Sequence, residues 1–170
     1  MDMLIQNHEV RDWFSEEPRS LKKVFQAYEE TISDILPNLL IDPRASVNSY
    51  IVNQDFRNTP KYLAAFNANA QTRLFVLSVL YVYPEFRKQG YGNHLIQQVQ
   101  NMVGSSGVVQ VAVEENDVSR LHDFYIKHSF KTTGELIPNQ FGKKYCDYFW
   151  SGRAIEINKT PDGQFAITPT

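Results

Sequence analysis

One cysteine stands among the 170 residues. Cys146 alone can close no internal disulfide and no multi-cysteine zinc site, which excludes a disulfide-stapled secreted scaffold and a zinc-built domain. Charge of either sign is not in excess: 17 Lys plus Arg stand against 19 Asp plus Glu, for a formal net charge of −2. The basic pairs Lys22-Lys23, Arg87-Lys88 and Lys143-Lys144 are scattered. Nothing here forms the basic face with which proteins neutralise nucleic-acid phosphates, so no nucleic-acid partner is expected. Long apolar runs are missing too. The longest, Leu74–Val82, reaches about half the length of a membrane-spanning helix and is broken by Ser78, so no membrane partner is expected. The opening MDMLIQNHEV carries acids at Asp2 and Glu9 and no basic stretch before an apolar core, so export is not expected. His8, His94, His122 and His128 never take the spacing of a two-histidine metal motif, and no metal is expected. Repeats and Gly/Ser linkers are also absent. The chain is therefore expected to be one domain over 1–170, in a reducing, cytoplasmic setting.

What is there is ordinary globular sequence, 42% hydrophobic and 21% charged. A short strand is predicted near Met3–Asn7. A helix is predicted to enter at Ser15-Glu16-Glu17-Pro18 and to bury Leu21, Val24, Phe25 and Tyr28, and a second covers Thr31–Leu40. Ser49–Asn53, Tyr62–Asn67 and Leu74–Val82 carry the β-branched and aromatic residues of strands. Asn67-Ala68-Asn69-Ala70 is read as the turn between the last two. Gly92–Val103 has a helical stripe of Leu95, Ile96 and Val99 with Met102 or Val103, and Gly104-Ser105-Ser106-Gly107 ends it before a strand at Val108–Val113. Strand, glycine turn, helix, strand is a βαβ unit with parallel neighbours. A helix at Ser119–His128, a closing strand pair at Lys131–Leu136 and Lys144–Ser151, and a hairpin of Ala154–Asn158 with Gln164–Thr168 complete the expectation. The fold class is α/β (α+β), a mixed central sheet with helices on both faces.

Chemistry concentrates in Leu80-Tyr81-Val82-Tyr83-Pro84-Glu85-Phe86-Arg87-Lys88-Gln89-Gly90-Tyr91-Gly92, between a strand and a helix. Arg-x-x-Gly-x-Gly in that place sets backbone N–H groups at the positive end of a helix. Gly90 and Gly92 let the backbone come close to a ligand, and Arg87 and Lys88 add charge; the whole suits a pyrophosphate. Neither Lys-Ser nor Lys-Thr follows these glycines, which excludes the common phosphate loop. Leu95 occupies the third glycine position of the dinucleotide fingerprint, which excludes that motif as well.

Val82, Pro84, Glu85, Arg87, Gly90, Gly92 and Leu95 fit the pattern V-x-P-E-x-R-x-x-G-x-G-x-x-L, and Phe124-Tyr125-Ile126-Lys127-His128-Ser129-Phe130 follows F-Y-x-K-x-G-F with serine for glycine. In these two motifs and their order, over Leu74–Phe130, the chain resembles the GCN5-related N-acetyltransferase (GNAT) superfamily. The resemblance implies the acyl-CoA N-acyltransferase fold, an acetyl-CoA co-substrate and a small-molecule or peptide amine as acceptor. It implies that Leu80, Tyr81 and Val82 offer backbone groups to the pantetheine arm and that Arg87, Lys88, Gln89, Gly90, Tyr91 and Gly92 wrap the pyrophosphate. Asn116 is a further cofactor contact by the same likeness, although it sits two residues early. Tyr125 takes the family's place beside the departing thiolate, as its acid or hydrogen-bond donor.

The strand Leu74–Val82 has no acid to deprotonate an incoming ammonium, so Glu114 or Glu115, at the end of the neighbouring strand, is the candidate base. The alternative is a catalytically silent CoA-binding sensor of the same fold. A homodimer is expected through open strand edges and the aromatic Tyr145–Trp150 run.

Overall fold

A computed structural model describes residues 2–6, 49–56, 58–69, 71–138 and 142–170. The two helices predicted before residue 41 lie outside the described residues. The chain divides into two compact units, Met1–Ala68 with Val76–Ile96, and Asn69–Phe75 with Gln97–Thr170.

The first unit contains β1 (Asp2–Gln6), β2 (Ser49–Asn53), β3 (Tyr62–Asn69) and most of β4 (Leu74–Val82), which lie in that order. β1 and β2 are antiparallel with Asp2 opposite Asn53, and β2 and β3 are antiparallel with Ser49 opposite Phe66. Val52, Leu63, Ala64, Ala65 and Phe66 are fully buried or nearly so. Buried residues on both faces are what a run without polar alternation demands.

Two polar residues of β2 are buried in this core, Ser49 and Asn53, the latter 6% exposed. Asn53 is the one that ties down a loop. Its amide nitrogen donates to Thr59 O at 2.9 Å, and its Oδ1 accepts from the backbone of Lys61 at 2.9 Å and Tyr62 at 3.3 Å. One side chain therefore folds the 54–61 loop back onto the start of β3. Asn53→Ala leaves two backbone donors unmatched and is expected to cost about 2–3 kcal/mol of stability. A urea unfolding midpoint unchanged from wild type refutes this.

β4 runs straight into a 3₁₀ turn at Pro84–Phe86, and helix α1 (Tyr91–Val103) follows. Leu95, Ile96, Val99 and Val103 are the buried residues of α1, the predicted stripe at three-four spacing.

In the second unit β5 (Val108–Glu114) buries Val109, Val111 and Val113 and turns its other face outward, a clean period of two. Val108 N–H donates to Arg73 O at 3.0 Å, so β4 and β5 begin side by side. After a 3₁₀ turn at Glu115–Asp117, helix α2 (Val118–Lys127) carries Tyr125 as its buried residue. β6 (Leu136–Pro138) and β7 (Lys144–Trp150) follow, with the order β5-β7-β6 and antiparallel pairing throughout. β8 (Ile155–Lys159) and β9 (Phe165–Pro169) form a separate two-stranded antiparallel hairpin.

Three expectations are corrected. The strand predicted at Lys131–Leu136 is a single bridge, Lys131 to Phe149, and the strand itself is Leu136–Pro138. Thr132 causes the break: its Oγ1 donates to Asp147 O at 2.7 Å and accepts from Gly134 N at 3.1 Å, and Gly134 has φ +75°. The turn predicted at 67–70 lies later, because β3 extends through Asn69. Asn69 Oδ1 accepts from Gln71 N at 3.0 Å and Thr72 N at 3.2 Å, an Asx turn that begins where the strand ends. The aromatic run Tyr145–Trp150 is not a free surface: Tyr148 and Phe149 are buried in their own unit.

Candidate functional site

The loop between β4 and α1 lies entirely in the first unit. Its 3₁₀ turn starts with Pro84 at the first position and buries none of its residues. The backbone then takes left-handed dihedrals at Lys88 (φ +63°) and Gly90 (φ +84°). A Cβ added at Gly90 would meet nothing within 4 Å, so glycine is needed there for the dihedral and leaves the space above it open. At the start of α1, His94 N–H donates to Gly90 O at 3.0 Å. Among the described residues no acceptor takes the N–H groups of Gln89, Gly90, Tyr91 or Gly92. Four exposed or half-exposed donors at the positive end of a 13-residue helix make a cradle for an anion.

Arg87 is placed differently from a free phosphate ligand. Its Nε donates to Val82 O at 3.0 Å, and its guanidinium lies over the Tyr81 ring at 5.5 Å. The terminal nitrogens remain on an exposed side chain. Arg87 thus straps the loop to the end of β4 and still presents charge outward. Val82 has its carbonyl occupied by this strap. Leu80, Tyr81 and Val82 are each half-buried, and Tyr81 meets Tyr83 edge-on with ring centres 5.2 Å apart. Lys88 and Gln89 are exposed.

The remaining predicted residues lie in the second unit. Tyr125 is 5% exposed, ringed by Phe124, Phe130 and Tyr148 with centres 5.2–5.4 Å away. Burial, with a smaller contribution from the Tyr148 phenol, pushes its pKa up to about 12, against a slight lowering by Arg120. No described residue hydrogen-bonds its hydroxyl. Such a phenol keeps its proton at any physiological pH, which makes it a donor and a poor source of protons. Beside it, His122 Nδ1 lies 2.8 Å from the Tyr148 hydroxyl, and burial also raises Tyr148 to about 12.

Glu114, the last residue of β5, is opposite Tyr145 and forms an ion pair with Lys143 at 3.6 Å. Asn116 and Glu115 stand exposed on the following 3₁₀ turn. Neither Glu114 nor Asn116 is hydrogen-bonded to Tyr125. Cys146 is 2% exposed on β7, with its Sγ 3.2 Å from Thr132 Oγ1, as a small buried residue. A cavity of about 280 Å³ in this unit is lined by Lys131, Trp150, Arg153 and neighbours, and no predicted site residue touches it. Among the described residues no cluster of side chains is arranged to hold a metal, and no helix is long and apolar enough to cross a membrane.

Sequence reasoning missed a polar group in the first unit. Asp2 on β1 accepts from the Tyr62 hydroxyl and from His94 Nε2 at 2.8 Å, and the Tyr62 ring packs against Tyr91 at 5.0 Å. These residues are separated by up to ninety-two positions.

A β-strand, a loop of free N–H groups, a helix and a second strand beginning beside the first make a β-loop-α-β arrangement suited to an anionic ligand. The family described as acetyltransferase (GNAT) domain matches residues 48–132, half of the chain, and the chain belongs to that family. No curated protein sequence matches it. An aminoglycoside 6′-N-acetyltransferase in complex with coenzyme A has 13% identity and a TM-score of 0.56, with 87% of this chain and 96% of that one covered. A spermidine/spermine N-acetyltransferase from Vibrio cholerae has 14% identity and a TM-score of 0.54, with 88% and 93% covered. A dodecameric structure of spermidine N-acetyltransferase from the same organism has 14% identity and a TM-score of 0.55, with 89% and 93% covered. These likenesses establish the mixed-sheet α/β fold.

Proposed function

We propose that this protein binds acetyl-CoA and transfers its acetyl group directly to a primary amine of a small molecule or peptide. The observation that carries the reading is the row of unpaired N–H groups from Gln89 to Gly92, strapped in place by Arg87. Those donors and the outward nitrogens of Arg87 bind the pyrophosphate, with Lys88 adding charge. Leu80, Tyr81 and Val82 line the pantetheine arm through their backbone, and Asn116 is a further contact. Family membership and a fold shared with a coenzyme A complex support the co-substrate.

In the transfer, the amine nitrogen forms a bond to the acetyl carbon, the carbon–sulfur bond breaks with its electron pair leaving on sulfur, and the proton that the new amide nitrogen sheds passes through water to that sulfur. The amine reaches the site mostly as ammonium and must lose a proton first; Glu114 takes it, directly or through water, once its Lys143 partner yields. Tyr125 offers the thiolate a hydrogen bond and keeps its own proton, as its pKa of about 12 requires. A buried hydroxyl with no partner is an unmet donor, which fits that use. Tyr125→Phe is expected to lower kcat about tenfold and leave the KM for acetyl-CoA unchanged. An unchanged kcat removes Tyr125 from the reaction. The reading includes a cytoplasmic setting and a homodimer through strand edges; among the described residues β1 is an edge strand, with Leu4 half exposed.

The ion-paired Glu114 and the deep burial of Tyr125 favour one alternative, a protein that binds coenzyme A without transferring anything. Release of free thiol from acetyl-CoA across a panel of primary amines separates the two. Acceptor-dependent release establishes the transferase, and binding without release establishes the silent protein.

A further inference from the structure

The two ends of the β4–α1 loop are tied to the same short segment. At the start of the loop, Tyr83 N–H donates to Lys61 O at 2.8 Å, Phe56 meets the Tyr83 ring at 6.0 Å, and Lys61 Nζ lies over the Phe86 ring at 5.5 Å. At its end, the chain passes into α1 through Tyr91 and His94. Tyr62, the next residue after Lys61, packs on Tyr91 and meets the His94 ring edge-on at 5.6 Å. Its hydroxyl donates to Asp2, whose other oxygen holds His94 Nε2 at 2.8 Å. The Asp2 side chain is 9% exposed. Burial and the adjacent carboxylate hold the Tyr62 phenol well above its usual range, so it stays a donor. His94 in turn donates its backbone N–H to Gly90 O.

We infer that Asp2 is a positioning residue for the pyrophosphate cradle: it clamps His94 and Tyr62 together and so fixes the first turn of α1, whose free N–H groups face the ligand. The inference rests on the proposed acetyl-CoA site. The physical argument is pre-organisation. A row of backbone donors binds an anion tightly only if its direction is set before the ligand arrives, because otherwise binding must order it. The loop has no buried residue in its 3₁₀ turn and one exposed glycine in the left-handed region, so it has little internal packing to hold it. The carboxylate is the only group in the cluster able to accept from both rings at once, since each of its oxygens takes one of them. Asn has one acceptor oxygen, so it meets both rings only if one of them accepts from its amide nitrogen instead of donating.

The test uses the full chain, with coenzyme A as ligand, read by calorimetry, and amide hydrogen exchange read by mass spectrometry. Asp2→Asn is expected to weaken coenzyme A binding about tenfold and to speed exchange over Gly92–Gln97, while exchange over Val108–Glu114 stays as in wild type. Tyr62→Phe, which removes one of the two hydrogen bonds and keeps the ring, is expected to show a smaller change in the same direction. It carries the test if Asp2→Asn does not fold. Unchanged affinity in both variants overturns the inference. So does faster exchange throughout β5, because Asp2 then only supports overall stability. If Arg87→Glu loses binding and neither Asp2→Asn nor Tyr62→Phe changes it, the acetyl-CoA reading stands and this inference alone fails. If wild-type protein binds no coenzyme A, both fall.

Discussion

Arg87→Glu is expected to weaken acetyl-CoA binding by about a hundredfold or more, the largest loss of affinity from any single change in the loop. Two effects act together. The substitution replaces a charge-assisted contact to phosphate, worth about 1.5–3 kcal/mol, with repulsion by a carboxylate. It also removes the Nε bond to Val82 O and the stacking on Tyr81, so the loop loses its strap to β4. Arg87→Lys separates the two contributions, because lysine keeps the charge and has neither the flat guanidinium nor a donor at that place. An intermediate loss of about tenfold is expected for it. Calorimetric titration of the three proteins is the measurement. Wild-type affinity in Arg87→Glu means that the phosphate-binding reading of this loop is wrong.

The largest expected loss of stability is at Gly152. A Cβ there would lie 2.7 Å from the carbonyl carbon and oxygen of Gly104 and 2.9 Å from Ser105 N. Every one of those atoms is backbone, so no side chain can swing aside. The same residue donates its N–H to Gly104 O at 2.9 Å, and moving away to relieve the clash gives up that bond. Gly152→Ala is expected to cost about 3 kcal/mol and to lower the melting temperature by about 6–12 °C. Arg153→Ala is the control: its exposed neighbouring side chain is expected to change stability by less than about 0.5 kcal/mol. Equal melting temperatures for Gly152→Ala and wild type would show that the chain relaxes around the added methyl.

The parts of the fold that local sequence reveals are those set by period and punctuation. β2 and β4 match their predicted limits residue for residue, because their apolar runs are bounded by polar turns. α1 buries the predicted Leu95, Ile96, Val99 stripe and resolves the choice at its end in favour of Val103. The hairpin β8–β9 forms one residue beyond its predicted strands, around Gly163 at φ +85°. What sequence could not reveal are pairings across long separations. Asn53 serves backbone groups six to nine residues ahead, and Asp2 meets His94 from the other end of the first unit. Neither leaves a spacing signal. The same limit applies to β6, displaced because a threonine hydroxyl competes with the ladder for the backbone. For the site, the motif located the loop, and it did not foretell that Arg87 has one donor already committed. Tyr125 was placed correctly on its helix. Its enclosure by Phe130 and Tyr148 comes from packing that no local pattern encodes.

The buried Cys146 has a practical consequence for every one of these experiments. It is the chain's only thiol, and it sits at 2% exposure against Thr132. A thiol in such a place reacts with disulfide or alkylating reagents only when the surrounding strands open. The folded protein is therefore optically silent in a colorimetric thiol assay, and any colour that appears when acetyl-CoA and an amine are added comes from coenzyme A itself. A slow rise with neither acetyl-CoA nor amine present would instead be the protein exposing its own sulfur, so the blank cuvette reports the integrity of the fold.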